Sequence, residues 1–212
     1  MPDYSKKEEQ LNIVSHAVGF ALSGIATIAL VIKAIGSGDV LQIVSFTVFG
    51  LSMMVLYAAS TLYHRSTDET LRSKLKIFDH SAIYVLIAGT YTPFTLVALH
   101  GTKGWWIFGI SWLFAIIGIS LKLFFTGRFK IVSTLMYVLM GWMIVFAIKP
   151  LIATLPIEGL YYLVAGGIAY TIGAVLYAIK KIPYNHAIFH FFVLAGTFCH
   201  FISIYFYLVP QN

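Results

Sequence analysis

Long apolar runs separated by short polar turns make up most of this 212-residue chain. An α-helix rises about 1.5 Å per residue, so about 20 apolar residues can cross a hydrocarbon core about 30 Å thick. Runs of about this length cover residues 12–35, 40–63, 77–99, 105–125, 131–148, 157–179 and 186–209. A chain inside lipid must satisfy its own backbone hydrogen bonds, so each run is predicted to be a membrane-spanning helix.

Short, turn-like connections join these runs. The first is Gly36-Ser37-Gly38-Asp39, and the fifth, over residues 149–156, contains Pro150 and Pro156. The sequence shows no convincing internal repeat, low-complexity tract or domain linker. The pattern therefore predicts an all-α fold, with a single domain over residues 1–212 that forms an integral membrane bundle of seven transmembrane helices.

Composition leaves no room for a separate water-soluble domain. Hydrophobic residues make up 59% of the chain and charged residues only 10%, whereas soluble domains average roughly 25% charged residues. The first run also lacks a clear small-residue cleavage site, which favours a retained helix over a signal peptide. Any chemistry is therefore expected inside the bundle.

The basic residues divide unequally between the two ends of the predicted bundle. The N-terminal flank and the second, fourth and sixth connections carry Lys6, Lys7, Arg65, Arg72, Lys74, Lys76, Lys122, Arg128, Lys130, Lys180 and Lys181. Only Lys33, Lys103 and Lys149 fall at the other end. Basic residues concentrate in cytoplasmic loops, so the N-terminus is predicted inside and the C-terminus outside. The net charge of +6 then comes from basic residues that set the orientation of the protein in the membrane, and nucleic-acid binding is not expected.

Five polar residues are predicted to meet at the cytoplasmic ends of three helices. His186 and His190 lie four apart at the start of the last run and so share one helix face. His64 closes the second run, with Ser60 one turn deeper on the same face, and Asp79 lies near the start of the third. Neutral imidazole is the commonest protein ligand for zinc. The arrangement therefore favours a metal site formed by the three histidines.

Each of these residues also has a plain structural interpretation. The histidines could be interfacial, Asp79 could cap the third helix, and Ser60 could bond the carbonyl one turn back. Their shared depth favours the metal site over these separate roles. Three histidine ligands leave the fourth position of tetrahedral Zn²⁺ open, as in catalytic sites. Asp79 is then the available general base, and Ser60 could hold the water or a substrate carbonyl.

The other histidines fit the site less well. His80 is rotated by about 100° from its neighbour Asp79, so the two cannot face one ligand squarely. His16 could extend the polar cluster from the first helix, and His100 is expected on an outer loop. His200 lies about 21 Å along the helix axis from His186, which excludes it from the same metal. With His190 and Thr197 it forms a stripe expected to face the bundle interior.

Pro93 is expected to disturb the third helix near the middle of the membrane. Its ring would clash with the carbonyl of Gly89, four residues earlier, and it donates no backbone hydrogen bond. A wider bundle interior or a purely structural kink could result.

The chain resembles the hemolysin III family, the bacterial branch of a superfamily that includes progestin and adipoQ receptors, with a more distant likeness to alkaline ceramidases. The motifs that carry the resemblance are Ser15-His16, Ser60-x-x-x-His64, Phe78-Asp79-His80 followed by Ala88-Gly89-Thr90-Tyr91-Thr92-Pro93-Phe94, and His186-x-x-x-His190 followed by Val193-Leu194-Ala195-Gly196. The resemblance implies a multi-pass protein of the bacterial plasma membrane. It also implies zinc held by His64, His186 and His190, with Asp79 and Ser60 about a metal-bound water.

Three functions follow as expectations. The leading one is a zinc-dependent hydrolase that cleaves an amide or ester in a membrane lipid, since the receptor relatives resemble ceramide-directed lipid-amide hydrolases. The second is a non-enzymatic sensor or an ion or proton channel with structural zinc. The third is a membrane-perturbing, hemolytic factor. The sequence identifies neither the substrate nor a protein partner.

Overall fold

The computed structural model describes residues 4–99, 101–125 and 130–209, and these residues form helices joined by short turns. The α-helices are α1 (Lys6–Ser37), α2 (Val40–Arg65), α3 (Glu69–Pro93), α4 (Gly101–Phe124), α5 (Lys130–Trp142), α6 (Ile148–Thr154), α7 (Ile157–Ala178) and α8 (Asn185–Ile202). Two π-helical turns, Phe94–Ala98 and Ser203–Tyr207, extend α3 and α8, and a 3₁₀ turn, Met143–Ala147, joins α5 to α6.

Seven of the described helical stretches are long and apolar enough to cross a membrane. The fifth, Val132–Thr154, combines most of α5 with the 3₁₀ turn and α6. The predicted all-α, seven-helix fold is confirmed. The side of the membrane on which each terminus lies stays a prediction.

Helices α2, α3 and α8 are the most buried helices of the bundle. Helix α2 packs against both α1 and α3, and α8 packs against α1 and α7. Large side chains of α2 fill the middle, among them Phe46, Phe49 and Met53. Helix α3 is buried over most of its length, whereas α4 exposes most of its residues at the periphery. This arrangement brings the start of α1, the end of α2 and the start of α8 together at one end of the bundle.

Helix α3 begins eight residues before its predicted apolar run. Asp68 caps it by accepting a hydrogen bond from the Leu71 amide at 2.7 Å. Its first two turns are polar, so hydropathy alone placed the start too late. Asp79 consequently lies well inside α3, ten residues after its first residue, Glu69, and the N-cap interpretation of Asp79 is wrong.

The two interior prolines are accommodated in different ways. At Pro93 the α-helix gives way to the π-helical turn Phe94–Ala98, in which the Leu99 amide donates to the Phe94 carbonyl at 3.0 Å. Pro150 does not end the fifth span, which continues to Thr154. The 3₁₀ turn restarts the helix at Ile148, so Pro150 falls in the first turn of α6, where its missing amide costs no intrahelical bond.

Candidate metal centre

Three buried imidazoles converge at the end of the bundle where α1, α2 and α8 meet. His64 lies in the last turn of α2, and His186 and His190 lie in the first two turns of α8. His186 Nε2 is 3.0 Å from His64 Nε2 and 3.1 Å from His190 Nε2. The ligand atoms of the three residues all lie within 4.8 Å of one another. The structure thus brings together the three histidines that the sequence predicts to meet.

This geometry suits a metal ion better than protons alone. A neutral imidazole nitrogen has one lone pair, so His186 Nε2 cannot accept well-aligned hydrogen bonds from two neighbouring Nε2–H groups at once. For tetrahedral Zn²⁺ with Zn–N bonds of about 2.0–2.1 Å, the nitrogens would stand about 3.3 Å apart. The observed separations of 3.0 and 3.1 Å are close to that spacing. The three histidines could therefore hold a metal ion.

Side chains of α1 hold the far ring nitrogens of two histidines. Glu9 Oε2 is 2.7 Å from His64 Nδ1, and a carboxylate only accepts, so Nδ1 carries the proton and Nε2 the lone pair. Asn12 Nδ2 also lies 3.4 Å from this Nδ1, but both atoms are donors in this tautomer, so only Glu9 bonds it. Ser15 Oγ donates to the Asn12 carbonyl at 3.1 Å and lies 3.3 Å from His190 Nδ1, so it can accept from that ring. These contacts leave both Nε2 atoms free for a metal.

His186 is held differently. Its backbone amide donates to Glu8 Oε1 at 3.3 Å, and the Tyr4 ring stacks on its imidazole with centroids 4.7 Å apart and planes 19° apart. Its Nδ1 is buried and has no hydrogen-bond partner within the described residues. Next to it, the Asn185 side chain donates to the Tyr177 carbonyl at 2.8 Å, which ties the start of α8 to the end of α7.

Asp79 and Ser60 are both buried inside the bundle. Ser60 Oγ has no hydrogen-bond partner among the described residues. The predicted bond from Ser60 to the carbonyl one turn back is therefore absent from the described structure. Asp79 is not part of the group of ligand atoms within 4.8 Å of one another. Neither residue supplies one of the convergent ligand atoms, and their catalytic roles stay predictions.

The remaining histidines take separate places. His16 stacks face to face on His190, with centroids 3.5 Å apart, and neither of its ring nitrogens has a partner among the described residues. His200 is buried and bonds the Leu163 carbonyl through Nε2 at 3.1 Å. His80 is partly buried, and His100 lies outside the described residues. The stripe expected from His190, Thr197 and His200 is buried along its length.

Sequence reasoning missed Glu8 and Glu9. They precede the predicted first run, where charged residues look like an ordinary helix flank, and their partners lie 178 and 55 residues away. The available signal was Ser5-x-x-Glu8, a capping-box pattern. It places the start of α1 at Lys6, and the Glu8 amide does donate to Ser5 Oγ at 3.2 Å.

The fold and the histidine cluster define a multi-pass α-helical membrane protein with a buried site that could hold a metal ion. The family model described as "Haemolysin-III related" matches residues 4–201, and the chain belongs to this family. It is 48% identical over 206 residues to "Hemolysin-3 homolog" of Bacillus subtilis (strain 168), covering 97% of each chain. It is also 48% identical over 204 residues to "Hemolysin-3" of Bacillus cereus, covering 96% of this chain and 93% of that one.

A human protein shows a weaker likeness. "Monocyte to macrophage differentiation factor" of Homo sapiens is 28% identical over 182 residues, which cover 81% of this chain and 74% of the human one. The family match, the Bacillus relatives and the seven apolar helices support a multi-pass protein of a bacterial membrane.

Proposed function

We propose that this protein is a zinc-dependent hydrolase that cleaves an amide or ester bond in a membrane lipid. The observation that carries the proposal is the convergence of three buried Nε2 atoms, with the buried carboxyl and hydroxyl of Asp79 and Ser60 in the same interior. Ionisable groups buried within a membrane bundle are costly and usually serve a function. A metal that only fastened helices together would leave the buried Asp79 carboxyl without a role.

Zinc is the metal that the donor set favours. Imidazole suits zinc, copper, iron and nickel, but magnesium and calcium prefer oxygen ligands. Three protein ligands with one open position are the pattern of catalytic zinc, whereas structural zinc is usually bound by four protein ligands. His64, His186 and His190 would be the ligands. Zinc bound there would supply Lewis acidity toward a carbonyl oxygen and acidify a water molecule.

In this proposal Asp79 transfers the proton, and Ser60 makes a polar contact to the water or the substrate. Hydrolysis adds a hydroxyl group to the acyl carbon and a proton to the leaving nitrogen or oxygen as the C–N or C–O bond breaks. Asp79 would accept the proton from the attacking water and return it to the leaving group. Ser60, whose Oγ has no hydrogen bond to another described residue, would orient the water or the substrate carbonyl.

A lipid is the substrate class that suits the position of the site. The outward faces of α1 and α4 expose large apolar side chains, such as Ile25 and Ile116, over the lengths that cross the membrane. The three histidines are buried at one end of this apolar shell, so a membrane lipid that enters sideways between helices at that end would deliver its bond without leaving the bilayer.

A non-enzymatic sensor or an ion or proton channel is the second candidate. Buried polar groups continue from the histidine cluster toward the other end of α8. His16 stacks on His190, Tyr170 and Thr197 share a hydrogen bond of 2.6 Å, and His200 follows beyond them. Polar and ionisable residues in series inside a bundle are typical of ion and proton pathways.

Reconstituted protein can separate these functions. The purified chain would be placed in liposomes containing ceramides, acyl amides and phospholipids, and fatty-acid release would be measured by mass spectrometry. We expect release that a chelator abolishes and added Zn²⁺ restores. Absence of cleavage together with ion or proton flux would favour the channel. Leakage of a large entrapped dye would favour membrane lysis, which the name of the Bacillus cereus relative suggests for that protein.

A further inference from the structure

Helix α1 supplies none of the three convergent ligand atoms, yet its first turns contact all three histidines. The contact to His64 is the shortest and the only one of these made by a carboxylate to an imidazole, with Glu9 Oε2 2.7 Å from Nδ1. Ser15 makes the weaker contact to His190, and Glu8 reaches only the backbone of His186. Among the described residues, Glu9 is therefore the side chain best placed to control a ligand from outside the cluster.

We infer that Glu9 is a positioning residue for the metal site. By accepting a hydrogen bond from His64 Nδ1–H, it fixes the tautomer and the ring orientation that aim the Nε2 lone pair at the other two histidines. A carboxylate on the far nitrogen also makes a ligating imidazole more basic. The inference rests on the metal site of the proposed function and is independent of whether the protein hydrolyses lipids.

Arg72 makes this contact part of a connected network. Its Nη2 forms an ion pair with the second Glu9 oxygen, Oε1. Its Nη1 donates to three carbonyls at the end of α2, namely those of Tyr63 at 3.3 Å, His64 at 3.4 Å and Ser66 at 3.1 Å. A cation at a helix C-terminus satisfies carbonyls that lack intrahelical partners and complements the helix dipole.

The network therefore fixes His64 at both its backbone and its ring. The Arg72 guanidinium holds the last turn of α2, including the His64 carbonyl. Its partner carboxylate, that of Glu9, holds the His64 imidazole. The Glu9 and Arg72 side chains are only 13% and 17% exposed. Water competes weakly for such partly buried charges, and their charge-assisted bonds are stronger than neutral ones.

Metal affinity tests the inference without any enzymatic assay. The full-length protein, purified in detergent and stripped with a chelator, would be titrated with Zn²⁺ in a chelator competition and with Co²⁺ followed by visible absorption. Loss of an outer hydrogen-bond partner typically weakens metal binding by about 10- to 100-fold, and we expect a loss of this size for Glu9→Ala. Glu9→Gln keeps an oxygen acceptor without the charge, and its loss should be smaller.

Two comparison variants distinguish positioning from a general effect on α1. Gln10→Ala changes the exposed neighbour of Glu9 in the same helix turn and controls for helix propensity. Glu8→Gln removes a carboxylate that reaches only a backbone amide. It controls for the loss of one negative charge near the site. The visible spectrum of bound Co²⁺ should change in Glu9→Ala and keep its wild-type shape in Gln10→Ala.

Each result decides the inference. Wild-type affinity and spectrum in Glu9→Ala would overturn it, and so would a Glu8→Gln loss as large as that of Glu9→Gln. If Glu9→Ala does not fold, the same comparison between Glu9→Gln and Glu8→Gln decides. A wild-type protein that binds no metal would overturn this inference and the zinc site together. Lack of lipid hydrolysis combined with the expected Glu9 effect would leave it standing and overturn only the hydrolase.

Discussion

His64, His186 and His190 lie together, but their rings are held to different extents. His64 and His190 each have a partner on Nδ1 that leaves Nε2 free to bind a metal. His186 Nδ1 has no partner among the described residues. A buried nitrogen without a partner is costly, so this position suits a bound water or a polar group of a ligand. If the three histidines bind a metal as proposed, the orientation of the His186 ring would depend most on that metal.

Asp79 and Ser60 are predicted to differ in their effects on catalysis. Asp79→Asn keeps the shape of the side chain but removes its basicity, so hydrolysis should fall by about 10²- to 10⁴-fold, the usual contribution of a general base. Ser60→Ala should cost less, because a water can replace a hydroxyl contact. Rates of fatty-acid release from the substrate found in the lipid screen would measure both.

The metal content of the same two variants serves as the control. Neither residue is one of the three clustered ligands, so both variants should bind zinc as the wild type does. Loss of zinc or of the folded state in Asp79→Asn would show that the carboxyl is structural and that its assignment as a base is wrong.

Sequence alone could place the three histidines together but not the groups around them. The spacing of His186 and His190 defines one helix face, and the alternating direction of the spans puts His64 at the same end. The contact between Glu9 and His64 depends on the rotation and tilt of α1 against α2. Those are set by packing across the bundle, and no local pattern of the sequence records them.

Close packing of α4 against the π-helical turn after Pro93 depends on a glycine. An added Cβ at Gly104 would fall on the backbone carbonyl oxygen of Thr95, which belongs to that turn. At Gly109 of the same helix, an added Cβ would meet nothing within 4 Å. Backbone cannot move aside as a flexible side chain can, so the two positions should respond differently to the same substitution.

Gly104→Ala is therefore predicted to destabilise the protein, and Gly109→Ala is its matched control. Overpacking typically costs about 1–3 kcal/mol, whereas alanine at an open helix position is favourable by roughly 0.5–1 kcal/mol over glycine. Thermal unfolding of the two purified variants in detergent would measure the difference. Equal unfolding temperatures would contradict the close approach of α4 to Thr95.

The sequence pattern predicted helix number better than helix ends. Hydropathy identified all seven spans because the membrane demands a minimum apolar length. It missed the polar first turns of α3, where the Asp68 cap defines the start. It also ended the fifth span at Ile148, although the span continues to Thr154, because the 3₁₀ turn that lets the helix restart at Ile148 has no strong sequence signature.

At the scale of the whole molecule, the structure places many basic residues at the end of the bundle that holds the histidines. Contacts among His64, His186 and Glu9 join the start of α1, the end of α2 and the start of α8. Lys6, Arg65 and other basic residues flank these helix ends. By the positive-inside rule this end should face the cytoplasm.

Reporter fusions would test that orientation. A reporter that works only outside the cytoplasm should be silent when fused after Lys7 or Thr67 and active after Asn212. The opposite pattern would show that the N-terminus and the metal site face outward, and the predicted orientation would be wrong.

The metal content of the purified protein tests the central claim most directly. Elemental analysis of the wild type should give about one zinc per chain. His64→Ala, His186→Ala and His190→Ala should each lose most of it, because two fixed imidazoles remain where tetrahedral zinc sites use three or four protein ligands. His80→Ala, which changes a histidine outside the convergent group, should keep its zinc. Undiminished zinc in the three ligand variants, or none in the folded wild type, would contradict a zinc site at His64, His186 and His190.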